Sequence, residues 1–333
     1  MAKGAEPSRR HHTVPRFYLR GFAHQDRLAT VTLPGDKRFV QSVTDATVMT
    51  DFYTLDGHPD GVDSFEKALS EIESEAAAIL QRVIAGEWPL SRDDRASLGY
   101  HISLQVARVP VKRRSSEYVA RQLRRLEIGL GGREVLRSEL VERGIDVTDE
   151  LLEVVWNQAV HPDGPPLTTH RSLQIKQILD TAEDLLPYIV GRPWHLFKFD
   201  KRSLITSDSP VSLIAQPDAK PWSGVGFMGA WGVTFPVSRK VGLLLGDIGP
   251  VMDAGVPVEK VWAGEIDVVQ IGTTQMEKFF NGYTVNGASK WIFHHPDDGD
   301  FVPADLPDPR PVDVNMSGAG REFTGGPELA GDR

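Results

Sequence analysis

The order of hydrophobic patterns along this chain predicts an α+β fold, in which a mixed or antiparallel sheet from the N- and C-terminal segments accompanies a helical middle region. Three observations carry that reading. Strand-like alternation comes early, helical spacing fills positions 63–189, and alternation returns from Trp194 onward. Strands, then helices together, then strands again oppose a repeating βαβ order. The N-terminal hairpin is expected to join the C-terminal sheet, giving one α+β domain over 11–295. Positions 1–10 are expected to be a disordered arm and 296–333 a disordered acidic tail.

Taken in order, Pro15 is placed to open a short helix carrying Phe17, Leu19 and Phe22, because its missing N–H has no helical partner in the first turn. Leu28–Leu33 and Phe39–Val43 alternate around Pro34-Gly35-Asp36, a hairpin pattern. Asp51-Phe52-Tyr53 reads as a short extended piece before a loop at Gly57–Gly61. Asp63-Ser64-Phe65-Glu66 has the form of a capping box, with Glu66 reaching back to the helix start. The helix it opens, to about Gly86, aligns Phe65, Leu69, Ile72, Ala76, Ile79, Leu80 and Val83 on one face.

A second helix starts near Ser91 and Asp94 and carries Leu98, Ile102, Val106 and Val109 until Pro110 interrupts it. Arginine-rich helix is expected from Lys112 to about Leu130, then helices at 133–143 and 148–160. A longer one, capped by Thr168 or Thr169, reaches about Leu186 before Pro187. Short strands follow at 194–199, 203–206, 211–214, 233–238 and 241–245, with a glycine-rich loop at 224–232. A last helix is expected at 266–281 and a last strand at 289–293.

Composition excludes several kinds of chemistry. The 333 residues include no cysteine, so disulfides, thiol nucleophiles and cysteine-ligated metals are ruled out. At 40% hydrophobic and 25% charged the chain has the composition of an ordinary soluble protein. No apolar run nears the ~20 residues that span a bilayer, and Met1–Arg10 lack the apolar core of a secretory signal. No membrane partner is expected, and the cytoplasm is the expected address. The net charge is −9, of which −6 falls in 296–333, leaving a mildly acidic body.

His11-His12-Thr13-Val14-Pro15-Arg16-Phe17-Tyr18-Leu19, with Phe22-Ala23 beyond, sets two histidines just ahead of a strongly apolar helix. Thr206-Ser207-Asp208-Ser209-Pro210, Phe235-Pro236-Val237-Ser238 and Asn281 complete a set of motifs spread from about residue 10 to about residue 293. Together they resemble the bacterial family catalogued as domain of unknown function 4238, differing from its usual pattern at Thr13, Arg16, Gly21 and Ser209. The resemblance implies a boundary and a set of suspect residues.

Histidine suits proton transfer near neutral pH and metal ligation, which makes His11 and His12 the first catalytic candidates; one of them can instead brace the helix start. Asp208 and Ser207 sit in a turn between strands, where Asp208 can orient a histidine, ligate a metal or act as base. Tight turns use the same residue types for local bonds, and Ser207 lacks the Gly-x-Ser-x-Gly setting of a serine nucleophile. A divalent metal, if one takes part, is expected on His12, Glu73 and Asp208. Arg108 with Gln105 suits an anionic group, since guanidinium is a two-pronged charged donor; His101 shares their helix face. Asn281 is expected to bind substrate or, if buried, to fix the Ser207–Asp208 turn.

Arg114, Arg121 and Arg125 share a face that can follow a phosphate backbone, yet a charge run of this size usually makes a solvated helix face. Nucleic acid is therefore a lesser expectation. The function expected from these residues is hydrolysis of a phosphate-containing or otherwise anionic small molecule, with a metal optional. The alternative is a non-catalytic binding protein or a defence-associated interaction protein, in which the same residues form a buried polar network.

Overall fold

The computed structural model describes residues 9–55, 59, 61–167, 169–219 and 225–309. Most of the N-terminal arm, part of the 57–61 loop, Thr168, the start of the glycine-rich loop and the tail from 310 lie outside the described residues. The described residues fall into two compact units: one comprises the chain up to Val109 and again from Arg171, the other Pro110–His170.

In the larger unit, β1 (Arg10–His12) precedes α1 (Arg16–Leu19) and a 3-10 turn at Arg20–Phe22. Pro15 is not inside the helix but just before it, in extended geometry with φ −63° and ψ 143°. β2 (Arg27–Thr32) and β3 (Lys37–Ser42) form the expected hairpin, and β4 (Val48–Thr50) returns to pair antiparallel with β1, setting His11 opposite Met49. α2 (Ser64–Ala85) ends at Gly86, whose φ of 114° provides the left-handed cap that lets its N–H reach the Arg82 and Val83 carbonyls. α3 (Arg92–Ala107) begins at Ser91, whose hydroxyl accepts from the Asp94 N–H.

The smaller unit holds α4 (Pro110–Glu142), broken at Gly132 where φ is 78° and ψ 177°, and α5 (Asp149–Ala159). Ile128, Leu136, Leu140, Leu152 and Trp156 form its core. Its arginines are largely engaged within it. Arg125 is fully buried and donates to the Val160 carbonyl at 2.8 Å, Arg124 pairs with Glu127 and Glu139, and Arg133 pairs with Glu153 over the Trp156 ring. The Arg114–Arg121–Arg125 face is thus not a continuous charged stripe.

The larger unit resumes with α6 (Arg171–Val190), which packs along α3. Pro187 does not end it as expected. It lies in the last turn, where it removes one i→i−4 hydrogen bond, and α6 runs only three residues further, to Val190. β5 (Trp194–Lys198), β6 (Thr206–Ser207), β7 (Ser212–Ile214), β8 (Gly232–Ser238) and β9 (Val241–Leu245) follow, then short helices α7 (Gly249–Asp253) and α8 (Val258–Trp262).

The expected helix at 266–281 is two elements, β10 (Val268–Ile271) and α9 (Thr274–Gly287). The β-branched run Val268-Val269-Gln270-Ile271 pairs parallel with β5, and Thr273 caps the helix through the Met276 N–H. β11 (Trp291–His294) precedes a 3-10 helix at Pro296–Phe301, a stretch expected to belong to the tail. Asp298 anchors that helix, being buried against Arg239 at 2.8 Å.

Two further sheets result, with strand orders β10-β5-β9-β8-β7 and β3-β2-β11-β6. The N-terminal hairpin does join C-terminal strands, in the second of them. Leu19, Phe22, Trp194, Phe235, Phe280 and Phe293 belong to one buried cluster, so the helix after the two histidines is locked into the main core. The Tyr18 hydroxyl donates to the Pro236 carbonyl at 2.7 Å and shares a 2.7 Å bond with Thr206 Oγ1. One side chain thereby ties three of the sequence motifs together.

Candidate functional site

His11 and His12 are held by β1 and by the residues after it. Thr13 donates its N–H and its hydroxyl to the Thr47 carbonyl, and the Thr47 hydroxyl donates to the Val14 carbonyl at 3.1 Å. His11 is buried against the Tyr53 ring. Its Nδ1 accepts the Tyr53 backbone N–H at 2.8 Å, so the ring is neutral and carries its proton on Nε2. That Nε2 lies 3.4 Å from Glu66 Oε2.

His12 is half-buried, and its Nε2 is 3.1 Å from the Thr44 carbonyl. Donating there leaves Nδ1 as the nitrogen with the lone pair. Burial moves the His12 pKa below its ordinary value, and the Thr44 bond and Glu73 only partly offset this. His12 is therefore neutral at pH 7 and able to accept a proton.

Across from the histidines stands one face of α2. Glu66, Leu69, Ser70 and Glu73 recur at three- and four-residue spacing, which aligns them along the helix. With His12, Arg16 and Tyr53 they line a small, partly open recess. The capping-box reading of Glu66 does not hold. Asp63 makes no side-chain cap but pairs with Lys67 at 2.9 Å, and Glu66 is turned toward His11 instead.

The two glutamates are placed in different environments. Glu73 accepts from Arg108 Nη1 at 2.6 Å. Glu66 is raised to about 7, first by burial and then by the neighbouring Glu73 charge, against the pull of Arg108 and Arg16. A carboxyl raised in this way supplies a proton donor near neutral pH, beside a second carboxyl held in an ion pair.

Beneath the recess Arg108 is 1% exposed, and its charge is kept against burial by Glu73 and Tyr53. With its amide oxygen turned toward Arg108, Gln105 accepts from Nε at 3.1 Å. Burial raises the Tyr53 hydroxyl to about 12. His101, on the same face of α3, packs on Phe17, and burial lowers it to about 3, so it is uncharged. Arg108 and Gln105 thus form the floor under Glu73, and the cation that borders the recess is the exposed Arg16.

The remaining candidates lie at another place in the same unit. Asp208 Oδ1 accepts the Ser289 N–H at 2.8 Å, and Oδ2 accepts those of Lys290 and Trp291 at 3.0 and 3.4 Å. Burial nonetheless raises its carboxyl to about 6, against those donors. Ser207 Oγ accepts the Ser209 N–H at 3.1 Å. Asn281 accepts the Ile205 N–H and donates to the Ser203 and Phe301 carbonyls and to Glu277. These are the bonds of a splice between β6, α9 and β11.

His12 and Glu73 meet in one recess, and Asp208 is not part of it. Among the described residues no three His, Asp or Glu side chains are grouped as metal ligands. In this recess His12 is a neutral imidazole and Glu73 is the ion-pair partner of Arg108. Glu66 pairs with Glu73 on one helix side in the sequence reading but is assigned there to the cap. Arg16, Tyr53 and Ser70 are not among the sequence-predicted site residues; the 66–69–70–73 spacing was the available signal for Ser70, and Arg16 and Tyr53 carried none.

No curated protein and no solved structure matches the chain. A family does match, over residues 10–298, under the description protein of unknown function (DUF4238). That span takes in both histidines, the recess and the Asp208 turn, and the chain belongs to the DUF4238 family.

Proposed function

We propose that the recess between His12 and the Glu66–Glu73 face is the active site of a hydrolase acting on a phosphate-containing or otherwise anionic small molecule. One observation carries the reading: a neutral, half-buried histidine lines the same recess as a carboxyl that burial has raised to about 7, beside a second carboxyl paired with a buried arginine. Acid–base catalysis asks for such a pair. His12 Nδ1 takes a proton from water as the water oxygen bonds to the substrate, and Glu66 gives its proton to the departing oxygen. His11 orients Glu66, and Arg16 supplies the positive charge that favours an anionic substrate.

The reading rests on proton transfer, and the assay is run with and without divalent ions. The experiment is a panel of nitrophenyl phosphate mono- and diesters and carboxylate esters, assayed with the purified chain and its His12→Ala variant. Turnover by the native chain that falls at least ~100-fold in the variant supports the proposal. No turnover on any of them, or equal turnover by both proteins, contradicts it.

A second reading, a non-catalytic binding or defence-associated interaction protein, is favoured by the burial of Arg108 beneath Glu73 and Gln105, as in a structural polar network. Binding of a small anion in the absence of any turnover would support that reading.

A further inference from the structure

We propose that this recess takes up the anionic group of its ligand together with one proton, which is carried by Glu66. The inference rests on the anionic preference in the reading above and concerns binding, not turnover.

The argument starts from the charges around Glu66. Its own helix presents Asp63 and Glu73, β1 presents His11, α1 presents Arg16 and α3 presents Arg108. Arg108 is matched by Glu73 at 2.6 Å and Asp63 by Lys67 at 2.9 Å, so an incoming ion meets each as a pair, while Glu73 still adds to the rise of Glu66. What is left at the recess is Arg16 and Glu66. With Glu66 ionised, an incoming oxyanion meets a carboxylate as well as a guanidinium, and the attraction is largely lost. With Glu66 protonated, Arg16 acts unopposed and the carboxyl adds an O–H donor.

Other groups are poorly placed to take that proton. The Nδ1 of His11 is engaged by the Tyr53 N–H, and a second ring proton would break that bond. Burial holds His12 toward its neutral form. Glu73 is tied to Arg108. Glu66 has 30% side-chain exposure, enough to exchange protons with water and not enough to hydrate its charge fully. Burial has brought its titration to about 7, where small changes in surroundings alter its charge. A cationic ligand would reverse the sign, releasing a proton and binding better at high pH.

Sulfate is the suitable probe, because it is a dianion throughout the range studied. Its binding is measured by calorimetry from pH 6 to pH 8, in two buffers of different ionisation heat so that protons are counted directly. The native chain is expected to lose about tenfold in sulfate affinity across that range, as a single group titrating near 7 requires. It is also expected to take up close to one proton per sulfate at pH 8. Glu66→Gln should bind sulfate with a flat pH profile and no proton uptake, and Arg16→Gln should lose binding at pH 6.

A flat or rising profile in the native chain overturns the inference, as does an unchanged slope in Glu66→Gln. Either result leaves the hydrolase reading standing, since that depends on ester turnover. Absence of sulfate binding at every pH overturns the inference and removes the anionic preference with it.

Discussion

Glu66 Oε2 lies 3.4 Å from His11 Nε2, whose other ring nitrogen is fixed by the Tyr53 N–H at 2.8 Å. Folding therefore holds a carboxyl beside a neutral donor in a partly dry place. Its folded value, about 7, is above the ordinary 4.5, so the folded state favours the protonated form. The contribution of this group to stability is full below about 4.5 and is lost as pH rises toward 7. The native melting temperature is expected to fall more between pH 5 and pH 8 than that of Glu66→Gln. Parallel curves would show that Glu66 titrates at its ordinary value.

The same group sets the alkaline limb of activity. As proton donor Glu66 must be protonated, so turnover is expected to decline above about pH 7. The acid limb should lie below the usual histidine value, because burial lowers His12. The profile of initial rates against pH checks both limbs, and a rate rising steadily through pH 9 contradicts the assignment of the acid.

The two histidines are expected to differ on truncation. His11→Ala leaves the buried Tyr53 N–H without its acceptor and should cost about 1–3 kcal/mol in urea denaturation. His12→Ala removes a half-buried ring bonded to one carbonyl and should cost less stability, while turnover falls at least ~100-fold. Equal stability losses with no change in turnover would make both residues braces.

Tyr18→Phe removes a buried hydroxyl that serves both Pro236 and Thr206. The expected loss is about 1–3 kcal/mol, since the Pro236 carbonyl and the Thr206 hydroxyl lose their shared partner in the core. Urea denaturation measures it, and a loss under about 0.5 kcal/mol would mean that Tyr18 acts mainly through packing.

The fold class was legible because its signals are local. The hairpin alternation, the apolar stripe of α2 and the glycine at 86 each announce their own element. Elements whose fate depends on distant partners were less so. Val268–Ile271 is strand because β5 lies beside it, and Pro296–Phe301 is ordered because Asp298 meets Arg239.

At the site, His12 and Glu73 could be named from residue type and spacing. Glu66 shares a helix side with Glu73, but its capping pattern pointed it back to the helix start, and only the β1–β4 pairing brings His11 to it. Arg108 was read as a clamp because sequence does not show how deep a helix end is buried. Asp208 and Asn281 carried the right chemistry for a site, but β11 and the Ser203–Ile205 backbone use their polar atoms.

The most direct test compares Glu66→Gln with Asp208→Asn in the nitrophenyl ester assay, at a temperature where both are folded. If the recess is the active site, Glu66→Gln loses at least ~100-fold in turnover. Asp208→Asn then loses thermal stability and keeps turnover within about threefold of the native chain, because its carboxyl serves backbone N–H groups. Loss of turnover in Asp208→Asn with Glu66→Gln unaffected would contradict the account and place the chemistry at the β6 turn.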